Sequence, residues 1–425
     1  MALTLMFAAL ALLIAIGAPI SIALGASSLL YILLEGLPSI TALNYMINGV
    51  NSFSLLAVPF FIMAGNLMNS GGITSRIFDF ARAVAGWAPG GLGHVNVGAS
   101  VIFSGMSGAA VADAGGLGNI EIKAMRDAGY ETDFAVGITA ASSTIGPIIP
   151  PSLPLVLYGV TASVSIGDLF LAGIVPGLLM ALSLVLMVAW YSHRRHYPRD
   201  RAFDPRYVWH TFRRAFLPLC TPAIIIGGIG TGVFTPTEAA VAAVAYALVL
   251  GLLVYRTLTP KALIRITMDS LETTASIMMI VAGAAIFAWI LTANQSAQAV
   301  AGAVLALTQN RELVLLLIML LVLVVGCFME TIAAITILVP VLLPVAQTVG
   351  IDPVHLGIIV VLNLMLGLLT PPVGMVLFVL SRVSQVPFEQ CMRATLPFLV
   401  PLVIVLFLLA YFPQLSLWLP DLLNP

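Results

Sequence analysis

The stretch Gly146-Pro147-Ile148-Ile149-Pro150-Pro151-Ser152 interrupts one apolar run of this 425-residue chain, and Gly367-Leu368-Leu369-Thr370-Pro371-Pro372-Val373 interrupts another. The two lie 221 residues apart. At that offset, without a gap, Gly105, Gly129, Gly146, Pro150 and Pro151 fall on Gly326, Gly350, Gly367, Pro371 and Pro372. Proline has no amide hydrogen to donate and glycine loosens a helix, so each stretch is expected to break one, with Pro147 adding to the first break. The surrounding runs are long enough to cross a bilayer. Matched broken helices in two halves of a membrane chain point to the binding site of a transporter.

Composition supports the membrane reading. Sixty per cent of the residues are hydrophobic and 8% are charged, and the mean hydropathy is +1.10. A soluble domain carries about 25% charged residues. The formal net charge of −1 gives no reason to expect a nucleic acid or a strongly anionic partner. Cys220, Cys327 and Cys391 are scattered in apolar surroundings, without CxxC or metal-ligand spacing. The opening Met1-Ala2-Leu3-Thr4-Leu5 lacks the basic start of a signal peptide and reads as a retained first helix.

Apolar length places spans at 3–16, 20–34, 53–70, 133–157, 169–190, 217–233, 238–255, 271–291, 354–380 and 394–412. The polar connection 191–214 carries Arg194, Arg195, Arg199, Arg201, Arg206, Arg213 and Arg214. By the positive-inside rule it is cytoplasmic, and with its aromatic residues it reads as an interfacial linker. It divides a first repeat, 1–190, from a second, 215–425. The remaining charges test whether the repeats are inverted. Segment 35–52 has no Lys or Arg, whereas 256–265 has Arg256, Lys261 and Arg265. Arg76 and Arg82 in 71–91 have no counterpart in 289–309, nor have Lys123 and Arg126 of 120–132 in 341–353. Segment 158–172 is free of basic residues, while 379–393 has Arg382 and Arg393. The bias changes sign each time, as opposite orientation requires, with Arg311 the exception. Segments 71–90 and 293–309 read as paired surface helices.

Segments 93–120 and 313–343 each start and finish on one side by this accounting. The first has room for about 40 Å of helix, so each is expected to be a re-entrant hairpin. The tips fall at 104–110 and near 326–331. Non-helical backbone at that depth survives only against protein or a water-filled cavity. The expected fold is therefore an all-α polytopic membrane protein with an inverted-topology repeat. Two re-entrant hairpins and two broken helices, 133–157 and 354–380, converge on one site.

Four motifs in order, Ser104-Gly-Met-Ser-Gly-Ala-Ala-Val-Ala-Asp113, Ser142-Ser-Thr-Ile-Gly-Pro-Ile-Ile-Pro-Pro-Ser152, Gly326-Cys-Phe-Met-Glu-Thr-Ile-Ala-Ala334 and Thr370-Pro-Pro-Val-Gly374, span nearly the whole chain. They resemble the large membrane subunit of the TRAP transporters, the tripartite ATP-independent periplasmic family. The resemblance implies an ion-transporter-superfamily fold working as an elevator. It implies import of an organic acid such as a dicarboxylate, keto acid or sialic acid, driven by sodium ions across a bacterial inner membrane. It also implies two partners, a small four-helix membrane subunit and a periplasmic substrate-binding protein. Glu330 stands where many relatives are expected to have Asp.

Sodium needs several oxygen ligands and tolerates neutral ones, which unwound helices supply. The candidates are Ser104, Ser107, Ser142, Ser143 and Thr144 in the first half, and Glu330, Thr331 and Thr370 with carbonyls near Gly326, Gly367 and Gly374 in the second. Small residues at membrane helix contacts also serve packing alone. Gly105, Gly108, Gly146 and Asn363 are candidates for meeting substrate. An acid within the membrane defaults to a functional reading. Glu330 suits either cation coupling or acceptance of hydrogen bonds from tip amides. Asp113 suits a structural role, with Lys123 or backbone as partner. No basic residue falls near the expected midplane, so an organic anion would rely on tip amides, half-helix N-termini and co-bound sodium.

Three other classes fit less well. A stand-alone sodium–dicarboxylate or citrate symporter shares the architecture and differs in lacking partners. Gly105-Met-Ser-Gly108 matches the short GxSG pattern of rhomboid-type serine proteases, but His94 and His355 both fall at membrane edges, far from a buried serine. A passive channel has no use for two opposed hairpins.

Overall fold

The computed structural model of the chain describes residues 1–200 and 202–423; Arg201 of the basic linker lies outside them, as do the side chains of residues 105–107, 297, 301 and 305–307. The architecture is all helical. The first half runs α1 (Ala2–Ala15), α2 (Ile20–Leu34), α3 (Ile40–Val50), α4 (Ala57–Ser70), α5 (Ile73–Ala85), α6 (Gly91–Ser107), α7 (Ala110–Asp127), α8 (Thr132–Ser143), α9 (Leu153–Ala162) and α10 (Ile166–Arg195). The second runs α11 (Pro205–Gly230), α12 (Pro236–Val249), α13 (Pro260–Ala293), α14 (Ser296–Leu307), α15 (Arg311–Gly326), α16 (Thr331–Thr348), α17 (Pro353–Gly367), α18 (Met375–Ser384), α19 (Phe388–Tyr411) and α20 (Gln414–Leu423). Among the described residues, seven helical segments are long and apolar enough to cross a membrane.

Local sequence explains the starts. Thr235, Thr259 and Asp352 each cap a helix through the side chain, and each is followed by a proline at the first helical position. That position has no use for an amide hydrogen, and the fixed proline φ suits a helix. At the breaks the ladder fails as expected. α8 ends at Ser143 and α9 begins only at Leu153, where the Ser152 hydroxyl accepts from the Leu155 amide at 3.2 Å. α17 ends at Gly367 and α18 begins at Met375. The Pro150–Pro151 and Pro371–Pro372 peptides are both cis.

The helices sort into two packing groups. In one, α13 lies against α2, α3 and α4, while α12 joins α4 to α11. Met6, Leu24, Ile32, Phe287 and Ile290 belong to a separate hydrophobic cluster within it. In the other, α6–α10 and α15–α20 interlock across the halves. α9 packs on α16, and α18 packs on α7. The Tyr158 hydroxyl, on α9, donates to the Pro353 carbonyl at 2.6 Å and ties the two broken helices together. The helices α5 and α14 reach from the first group onto α6 and α16.

Several boundaries move relative to the sequence reading. The hairpins run on to Asp127 and Thr348 instead of stopping at 120 and 343. Apolar length undercounted them because the last turns of α7 carry Glu121, Lys123, Arg126 and Asp127. The limbs α6 and α7, of 17 and 18 residues, are about 26 Å long each, so the hairpin is deeper than a two-half-helix estimate allowed. The basic linker shrinks, since α10 continues through His193, Arg194 and Arg195 in its last turn, where cations suit the carbonyl end of a helix. Helices α3 and α20 had no sequence counterpart, both being short.

Candidate functional site

Each hairpin tip rests on a helix break. The first hairpin turns at Gly108, with φ +59, where a Cβ would come within 2.6 Å of the Pro151 carbonyl oxygen. A side chain here would push the tip off the break. In the second half, a Cβ on Gly367 would sit 2.5 Å from the carbonyl carbon of Gly326. The Val373 amide donates to the Cys327 carbonyl at 3.2 Å, so backbone of tip and break are joined directly. Four helix N-termini, those of α7, α9, α16 and α18, start within these two loops. Apart from the amides already capped by Ser152 at α9 and Glu330 at α16, their first-turn amides make both loops receptive to anions.

A cavity opens beside each tip, against the first packing group. The one at the first tip, about 190 Å³, lies between Phe103, Ala109 and Ala112 of the hairpin and Asn66, Asn69 and Thr273 of α4 and α13. The one at the second tip, about 440 Å³, is lined by Glu330, Ser21 and Ser276, with Met279 and Ile280. Both touch α13, through Thr273 and Ser276, one turn apart on the same helix face. Neither described lining contains Lys or Arg. An anion in the smaller cavity would meet carboxamides and a hydroxyl, whereas in the larger it would meet hydroxyls and the Glu330 side chain.

The candidate hydroxyls are buried or half-buried around the breaks. Ser104 donates to the Val101 carbonyl at 2.5 Å, Ser143 to Ala140 at 2.8 Å, Thr144 to Ala141 at 2.6 Å and Thr370 to Leu366 at 2.7 Å. Each proton is spent on the preceding turn, which leaves hydroxyl lone pairs free to face a cation. Thr331 is buried at the start of α16. Ser142 faces elsewhere, donating to Asn96 Oδ1 at 2.6 Å. Gly374 has φ +57 and stands just before α18, while the Gly367 carbonyl accepts from the Thr370 amide at 3.0 Å. The side-chain positions of Gly105 and Ser107 lie outside the described residues. Pro147 and Ser152 are joined across the first break by a hydrogen bond from the serine hydroxyl.

Glu330 caps α16. Its Oε2 accepts from the Ile332 amide at 2.9 Å and the Ala333 amide at 3.3 Å, while the side chain also borders the larger cavity. The carboxylate thus holds the tip in shape, as the hydrogen-bonding reading expects. Asp113 lies against the first break, where its Oδ2 would be 2.3 Å from a Cβ on Gly146. Lys123 is ten residues further along α7, about 15 Å away, which is too far for a partner. Asn363 is buried and donates to the Met319 carbonyl at 2.5 Å, joining α17 to α15. His355 Nδ1 is 2.7 Å from Ser416 Oγ, on α20.

The sequence reading passed over Asn66, Asn69 and Thr273. Two asparagines three apart in the 53–70 span share a helix face, and that was the available signal. It also passed over Asn96, Glu121 and Thr139, which with Ser142 form a buried polar cluster behind the first hairpin.

Comparison with known proteins places this geometry. By fold, the chain is similar to the YdaH transporter of Alcanivorax borkumensis, with a TM-score of 0.65, 16% identity and 89% of each chain covered. By sequence, it is 51% identical over 407 residues to the sialic acid TRAP transporter large permease protein SiaM of Vibrio cholerae, covering 96% of this chain and 95% of that one. It is 42% identical to the sialic acid TRAP transporter permease protein SiaT of Haemophilus influenzae, covering 96% of this chain and 67% of that one. Its identity to the C4-dicarboxylate TRAP transporter large permease protein DctM of Pseudomonas aeruginosa is 39%, over 94% of each. The profile described as the tripartite ATP-independent periplasmic transporter, DctM component, matches residues 7–415. Hairpins seated on paired Pro–Pro breaks, and a match over almost the whole length, make this polytopic chain a member of that DctM family, a transporter component and not an enzyme.

Proposed function

We propose that the chain is the large permease of a sodium-driven importer of organic acids in a bacterial inner membrane. One observation carries the reading: two hairpin tips sit on matched helix breaks, and both open against the same helix, α13. The halves are inverted repeats, and the breaks lie near the bilayer midplane. Sodium binds among the hydroxyls and carbonyls of the breaks, at Ser143 and Thr144 in one half and Thr370 in the other. Bound cations and the N-termini of the half-helices hold the substrate carboxylate, so no arginine is needed. The group α6–α10 with α15–α20 carries the site as an elevator past α1–α4 and α11–α13, with α5 and α14 as its arms. A small four-helix subunit covers the stationary group. A periplasmic binding protein delivers substrate, so uptake needs no ATP.

Sialic acid is the first substrate to try, since the SiaM and SiaT proteins named for it cover most of this chain at 51% and 42% identity. The complex would be reconstituted in vesicles with its small subunit and binding protein, and labelled sialic acid uptake followed with and without a sodium gradient. Uptake that requires both sodium and the binding protein is expected. Undiminished uptake without the binding protein would make the chain a stand-alone symporter.

A further inference from the structure

Behind the first hairpin, away from both tip cavities, α6, α7 and α8 enclose a set of polar side chains that the reading above does not use. Asn96 Nδ2 donates to Glu121 Oε2 at 2.6 Å and to Thr139 Oγ1 at 2.8 Å, and the Ser142 hydroxyl donates to Asn96 Oδ1 at 2.6 Å. All four residues are at most 2% exposed. Glu121 Oε1 is buried and receives no hydrogen bond. The Asn96 amide hydrogens and the Ser142 hydroxyl hydrogen are therefore committed, whereas one carboxylate oxygen and lone pairs of Thr139 and Ser142 are not. The set is rich in acceptors, and an ionised Glu121 there is a buried charge, which is costly unless a cation offsets it.

The fold does not demand this carboxylate. In the second half α16 packs on α17 as α7 packs on α8. At the 221-residue offset, Glu121 corresponds to Leu342 and Thr139 to Val360, both buried. Those two positions are thus filled by hydrocarbon in the second half, while Ser142 corresponds to the buried Asn363, which donates to the Met319 carbonyl. A carboxylate and a threonine kept in only the first half answer to a ligand and not to packing.

We propose that Glu121, with Thr139, Ser142 and Asn96, is a monovalent-cation site, taking sodium or a proton, separate from the hydroxyls at the helix breaks. Thr139 and Ser142 lie on α8, which ends at the first break, so filling this site braces the broken helix from behind. One cation per transport cycle is assigned to it.

The test rests on the chain being a cation-coupled importer, and it separates the two claims. The full transporter is reconstituted in vesicles, and substrate uptake is measured beside radioactive sodium entry and the signal of a lumenal pH dye. Wild-type uptake unaccompanied by either cation would remove the coupled-importer reading itself. With coupling present in the wild type, Glu121→Gln is expected to lower the cation-to-substrate ratio by one. Loss from the sodium count assigns the site to sodium, and loss from the proton count assigns it to a proton. Unchanged ratios for both would overturn the site. Should Glu121→Gln not reconstitute, Thr139→Val, nearly isosteric, leaves the carboxylate in place. It is expected to raise the half-saturating concentration of the coupled cation several-fold, and no shift would likewise overturn the proposal.

Discussion

At the scale of single residues, Glu330 separates shape from charge. Its Oε2 caps two amides at the second tip, and a glutamine oxygen can do the same. Glu330→Gln is therefore expected to keep most uptake, whereas Glu330→Ala loses the cap, about 1 kcal/mol, and with it uptake. Loss in both variants, with the thermal midpoint held by Gln, would assign the charge itself a coupling role. The hydroxyls of Ser143, Thr144 and Thr370 make a second test. Each donates to its own helix, so removal costs little stability, about 1 kcal/mol at most. Alanine at all three is expected to raise the sodium needed for half-maximal uptake, read as a titration in vesicles. An unchanged titration would leave them as packing. These residues were visible in the sequence because they flank prolines. Glu121 and Asn96 were not, because an acid followed by Lys123, Arg126 and Asp127 at the end of a hydrophobic run reads as the start of a surface loop, and a single asparagine carries no pattern.

Among elements, the close seat of tip on break is the most exposed to a small lesion. Gly367→Ala places a methyl 2.5 Å from the Gly326 carbonyl carbon, and overpacking of that kind costs about 1–3 kcal/mol. A lower thermal midpoint and lost uptake are expected. Gly98→Ala on α6 meets nothing within 4 Å and serves as the control, with a midpoint equal or higher. If Gly367→Ala matches that control, the seat is looser than its geometry implies. The breaks themselves were legible because a glycine followed by paired prolines acts through backbone chemistry, whereas the single prolines inside α10, α11, α16 and α19 leave those helices continuous. The hairpin ends were less so. Charges on the last turns of α7 mimic a loop by composition, and only packing on α8 and α18 shows that the helix continues. The cavities were hidden for a related reason, since each joins residues more than 150 positions apart.

For the whole molecule, the inverted repeat makes a claim about sides. In a chain with Cys220, Cys327 and Cys391 replaced, single cysteines at Arg199 and Phe388 should label from the cytoplasm, and those at Ser163 and Gly350 from the periplasm. Labelling of 163 and 388 from one side would end the inverted repeat. The overall plan was readable because charge bias and the 221-residue offset both survive in one sequence. The sorting of helices into two groups was not, since it depends on which apolar faces meet. One member of the first group has a larger role than its place in the order suggests. While five other helices among the described residues contain internal prolines, α13 runs unbroken for 34 residues, about 51 Å. It is clamped against α3 where a Cβ on Gly49 would fall 2.2 Å from that of Ala285. Such a rod works as a ruler: both tips are gauged against the same straightedge. Wedging it at Gly49 with valine, remote from either cavity, would therefore put both gauges out of true together, and substrate and cation affinities should fall in parallel.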